Sequence, residues 1–137
     1  MGLTAKVTYR GGLRTEATHL RSGNVIITDA PVDNKGKGEG FSPTDLTCTS
    51  LASCILTIMG IAAQRMEVDM SGASADVTKT MASDPRRIAR IEITITMPAR
   101  AYADKTKKIL EKAAHHCPVG LSLADGTEEV VTIIWAE

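Results

Sequence analysis

From Leu46 to Ala63 the chain runs for eighteen residues without a charge, and this run constrains the fold more than any other feature. An ordinary surface helix keeps one polar face in water, but a helix made from this run has no charged side to offer. Its start is well specified. Ser42 is a fitting N-cap, Pro43 takes the first helical position where its missing N–H costs nothing, and Asp45 completes a capping-box-like pattern. The reading is a buried helix from Ser42 to Gln64 that other structure must sheathe. A membrane span competes with it, because about eighteen uncharged residues is the lower edge of spanning length. Thr47, Thr49, Ser50 and Ser53 speak against a span, as does the lack of a second apolar segment.

At 137 residues the chain is expected to form one domain over residues 1–137, small enough that dimerisation could complete its core. That core is aliphatic, since there is one Trp, one Phe and two Tyr. Sixteen basic and sixteen acidic residues cancel, which argues against nucleic acid or an anionic membrane as the main partner and favours a small-molecule substrate. The opening stretch MGLTAKVTYR has no apolar signal core and no transit-peptide pattern, so the expected location is the cytoplasm. Cys48, Cys54 and Cys117 form an odd set in such a chain, so their meaning is chemical or merely apolar filling rather than a disulfide framework.

Strands are expected over Leu3 to Arg10 and Leu13 to His19, joined at Gly11-Gly12, with a third over Val25 to Thr28. Asp33 to Gly40, DNKGKGEG, is a glycine-rich charged loop that lacks the closing Gly-Lys-Ser/Thr of a phosphate loop. Val68 to Met81 and the run Ile91, Ile93, Ile95, Met97 form a long hairpin, the second arm alternating cleanly with Arg90, Glu92, Thr94 and Thr96. Tyr102 to His116 has helical spacing, with Ile109, Leu110, Ala113 and Ala114 apolar. Cys117-Pro118 breaks it, because the residue before proline avoids the α region. A short helical turn over Pro118 to Leu123 and a strand over Val130 to Trp135 complete an order βββ-α-ββ-α-β, an α+β fold of antiparallel sheets wrapped on a central helix.

A redox pair needs one thiolate that attacks and a second thiol that resolves the product. Cys54 and Cys117 fit that scheme. Cys117 stands at a helix start, where backbone N–H groups favour a thiolate; Cys54 is mid-helix and needs a cation. Arg10 or Arg14 of the first hairpin is the natural candidate, itself held by a carboxylate such as Asp45. A lone cysteine in a buried helix is more often a small hydrophobe, so the residues by themselves leave the pair undecided. Cys48 lies on a different helix face from Cys54 and reads as core. His115-His116 does not make a metal site, because consecutive helical residues point about 100° apart and no further ligand pattern accompanies them. Met59, Met66 and Met70 could line an apolar pocket or simply fill the core.

The stretch SPTDLTCTSLASC resembles the motif around the first cysteine of the OsmC/Ohr family of thiol peroxidases, and HHCPVGLSL resembles the segment around its second. The order of elements matches as well, so the resemblance covers essentially the whole chain. It implies an intertwined homodimer with sites at the subunit interface, Cys54 as the peroxidatic and Cys117 as the resolving residue. It also implies an activating arginine, for which Arg14 matches best and Arg10 second. Ohr proteins carry a glutamate directly after the motif's proline. Here that place is Thr44 and the acidic residue is Asp45, as in general OsmC-like members, so Asp45 has two readings, a site residue or only a cap.

The implied activity is reduction of organic hydroperoxides, and of hydrogen peroxide less well, with no cofactor. An external dithiol, such as a lipoylated protein, would regenerate the enzyme. The rival is a non-catalytic or redox-sensing binding protein for an apolar small molecule on the same scaffold.

Overall fold

The computed structural model describes residues 2–136; Met1 and Glu137, the ends of the expected domain, lie outside them. The chain forms two compact units, Met1–Thr47 and Cys48–Glu137.

The first unit is an antiparallel sheet in the order β1 (Ala5–Gly11), β2 (Arg14–His19), β3 (Val25–Asp29). Gly12 and Leu13 form the two-residue connection from β1 to β2, with φ of 61° and 62°. Leu13 was expected at the head of the returning strand. The tight hairpin overrides that, because two-residue loops between right-twisted strands need left-handed backbone at both positions. After β3 the glycine-rich segment folds back on the strand end. A Cβ on Gly36 would stand 1.8 Å from the Ala30 carbonyl oxygen, so only glycine permits this approach.

Helix α1 (Pro43–Arg65) begins with the capping box read from the sequence. The Ser42 N–H donates to Asp45 Oδ2 at 3.0 Å and the Asp45 N–H donates to Ser42 Oγ at 3.0 Å. Cys48, Leu51, Ala52, Ile55, Met59 and Ala63 make a buried stripe at helical spacing. Within one chain the burial is one-sided, because Ser53, Thr57, Ile61 and Gln64 repeat along the outer side and are exposed. That side satisfies itself locally, as the Thr57 hydroxyl donating to the Ser53 carbonyl at 2.8 Å shows. By length and composition α1 could cross a membrane, with a mean hydropathy of 1.8. Its buried stripe is instead the middle of a packed core.

In the second unit β4 (Ser74–Ala82) and β5 (Arg87–Thr96) pair antiparallel. Ile91, Ile93, Ile95 and Met97 are buried as their alternation predicts, and they cluster with Leu51, Ile55 and Met59 of α1. The last strand, β6 (Glu128–Ile134), joins the other side of β5 in parallel, which corrects the expectation of purely antiparallel sheets. The physical reason is the crossover. Helices α2 (Asp104–Ala114) and α3 (Pro118–Leu121) lie between the two strands, giving the chain the length that a parallel return needs. On α2 the inward residues are Leu110 and Ala114, while Ile109, one residue and about 100° away, is exposed rather than packed.

Candidate functional site

The second unit brings Cys54 and Cys117 near enough for the Cys54 side chain to act on the Cys117 thiol, and both thiols are free. Cys54 comes from α1 and is half-buried; Cys117 is 3% exposed. The local sequence explains the second position. Pro118 at the first helical place forces an extended Cys117, with φ −88° and ψ 141°, which caps α3 by accepting the Gly120 N–H on Sγ at 3.3 Å. Burial pushes the Cys117 thiol above its ordinary pKa; the Gly120 N–H opposes this, while Cys54 and the Glu129 carboxylate add to it. The expectation that the helix start makes Cys117 a thiolate is therefore reversed. One N–H on a single-turn helix does not offset desolvation.

Cys117 borders a cleft of about 170 Å³ that His115, Gly120, Leu121 and Glu129 also line. Gly120 and Glu129 were not singled out from the sequence. A Cβ on Gly120 would meet Glu129 Oε1 at 2.9 Å and Cys117 Sγ at 3.3 Å, so the glycine keeps open a space that the carboxylate and the thiol both border. Cys48 lies in the core, 1% exposed. Met59 is also core, and Met66 and Met70 pack against it.

The first unit holds Arg14, on β2. Its Nε and Nη2 donate to Asp29 Oδ1 and Oδ2 at 2.7 and 2.8 Å, and Nη2 also donates to Glu39 Oε1 at 2.9 Å. The Glu39 N–H donates to Asp29 Oδ2 at 3.2 Å, tying the glycine-rich loop into the cluster. Hydrogen bonds and charge from Asp29, then Glu39, hold the guanidinium far above any titration in water, and Arg14 holds the Asp29 carboxyl below the usual carboxylate range. The carboxylates seen on Arg14 are thus Asp29 and Glu39, where the sequence had suggested Asp45; Asp45 closes the α1 cap. Arg10 pairs with Glu16 at 3.0 Å on exposed surface. Asp29 gave one weak signal, an acid ending a short apolar strand, and Glu39 gave none.

The same arrangement of sheets and helices is found in the OsmC-like protein of Mycoplasma pneumoniae, with a TM-score of 0.81 over 100% of this chain and 99% of that one at 14% identity. The organic hydroperoxide resistance protein OsmC of Legionella pneumophila shares it at a TM-score of 0.74 and 12% identity, over 97% and 98% of the two chains. Those likenesses are of fold. The OsmC-like protein family model matches residues 36–131, and the chain belongs to that family. A Psychrobacter arcticus protein described as an osmotic stress induced and detoxification response protein is 56% identical over 98% of both chains, with a TM-score of 0.93. No curated protein matches the sequence.

Proposed function

We propose that the protein is a thiol-dependent peroxidase that reduces organic hydroperoxides, and hydrogen peroxide less well. The observation that carries this reading is the nearness of Cys54 to Cys117, one thiol half-buried and the other buried with its pKa pushed up. In the first step the Cys54 thiolate attacks the distal peroxide oxygen, the O–O bond breaks, and the alkoxide leaves as the alcohol after taking a proton. Cys54 becomes a sulfenic acid. Cys117 then attacks its sulfur, forming the disulfide and releasing water. An external dithiol, such as a lipoylated protein, restores both thiols. To Arg14, permanently charged and oriented by Asp29 and Glu39, we assign stabilisation of the Cys54 thiolate and of the developing alkoxide. The name of the Legionella protein, an organic hydroperoxide resistance protein, supports the substrate class.

We further propose a cytoplasmic homodimer, in which a second copy covers the uncharged outer side of α1. The chemistry is tested by intact mass spectrometry after one equivalent of cumene hydroperoxide. Loss of two mass units mapped to a Cys54–Cys117 link supports the peroxidase; unchanged thiols support a binding protein for an apolar molecule.

A further inference from the structure

Along β6 the residues that point with the core-packing Val131 and Ile133 are at every second place, and the next in that row is Glu129. Its partner across the ladder is Ile91, itself wholly buried, as Ile93 and Ile95 are the partners of Val131 and Ile133. A carboxylate therefore stands where the pattern calls for an apolar side chain. The Glu129 side chain is exposed yet reaches over Gly120, where an added Cβ would stand 2.9 Å from Oε1 and 3.3 Å from the Cys117 sulfur. The cleft beside them opens that space to solvent.

We propose that Glu129 is the base of the resolving step, taking up from the cleft side the proton that Cys117 gives up as its sulfur attacks Cys54. This rests on the peroxidase reading for the reaction, though the pairing of Glu129 with Cys117 does not. In the step the Cys117 S–H bond breaks, its electron pair forms the S–S bond, and the S–O bond of the Cys54 sulfenic acid breaks. The departing hydroxide recovers the proton from Glu129 and leaves as water, so no outside oxidant or reductant enters. A buried thiol whose pKa is pushed up has little thiolate of its own, which is the situation in which a nearby base matters. The groups that bear on its proton are Cys54 from α1, the Gly120 N–H from α3 and Glu129 from β6; His115 lines the same cleft.

The test compares the unaltered protein with Glu129→Gln in single turnovers, following sulfenic acid formation and then disulfide formation. The expected result is that disulfide formation slows by about 10²-fold relative to the first step, the lower end of what a positioned base contributes. Its rate should also depend more steeply on pH in Glu129→Gln than with glutamate present. Equal ratios and equal pH profiles would overturn the proposal. A second measurement does not depend on peroxidase activity: the pH profile of Cys117 alkylation by iodoacetamide in a Cys54→Ser background. Glu129→Gln should move its midpoint to lower pH, because a neighbouring negative charge is gone; an unmoved midpoint overturns the pairing even if the protein proves not to be a peroxidase.

Discussion

Arg14 meets Asp29 through two parallel hydrogen bonds, Nε to Oδ1 at 2.7 Å and Nη2 to Oδ2 at 2.8 Å, with the carboxylate side chain 1% exposed. The pair makes stability pH-dependent in a defined direction. Because the folded Asp29 pKa lies below that of the unfolded chain, ordinarily about 3.9, its contribution is fully present above that value and is lost as pH falls through the folded pKa. Asp29→Asn should lower the melting temperature at pH 7 and flatten its fall below about pH 4. The two proteins should converge in acid. Parallel melting curves offset by the same amount at pH 7 and pH 2.5 would count against this.

Thiol reactivity in the native protein should follow the order Cys54, then Cys117, then Cys48. Cys54 is half-buried, Cys117 is both buried and held protonated, and Cys48 is 1% exposed in the core. Iodoacetamide at pH 7.5 followed by peptide mass spectrometry reads the order. Labelling of Cys117 ahead of Cys54 would contradict it.

The two cysteines should fail differently when replaced. Cys54→Ser should end peroxide consumption, since a serine hydroxyl is not ionised at neutral pH. Cys117→Ser should still react once, giving a sulfenic acid that dimedone traps and excess peroxide over-oxidises. A Cys117→Ser protein without single-turnover reaction, beside an active Cys54→Ser protein, reverses the assigned roles.

Two glycines should differ sharply when changed to alanine. At Gly120 the nearest atom is the far end of the Glu129 side chain at 2.9 Å, which can swing away, so Gly120→Ala should fold with a similar melting temperature. At Gly36 the new Cβ would lie 1.8 Å from a backbone oxygen of Ala30, which cannot. Gly36→Ala should open the segment that carries Glu39, seen as faster limited proteolysis between residues 31 and 41. Equal resistance in the two variants would refute the contrast.

The two sides of α1 should also separate. Met59 is wholly buried and its change to alanine should cost about 2–5 kcal/mol. Ile61 is 41% exposed within one chain, so Ile61→Asp should spare the protomer's fold but shift a homodimer towards monomer in light scattering at micromolar concentration. A dimer unaffected by Ile61→Asp would show that this side is not the interface.

The fold was legible wherever local pattern and packing agree. Ser42, Pro43 and Asp45 announce the start of α1, and the isoleucines of β5 announce its buried face, because caps and period-two alternation are properties of neighbouring residues. Leu13 in left-handed backbone was not legible, since hairpin twist decided against its own preference. The parallel setting of β6 and the exposed side of α1 depend on how far the chain travels before returning, which no local window contains. At the site the same division holds. The cysteines stand out by type, whereas Asp29, Glu39, Gly120 and Glu129 acquire meaning only from partners 15, 25, 3 and 12 positions away in sequence, from Arg14 or from Cys117.

The parallel pairing of β6 bears on the order in which a ribosome-bound chain can finish. Residues 90–96 are made well before residues 128–134, the partners they need, and N-terminal segments generally fold first during synthesis. The surroundings of Cys117 include Glu129, so they are complete only once β6 has emerged. Until then Cys54 has no settled partner thiol, and closing the long loop between the two carries an entropy cost that only the finished sheet offsets. The two-thiol arrangement on which the proposed chemistry depends is thus completed after the helix that bears the first thiol has already been translated.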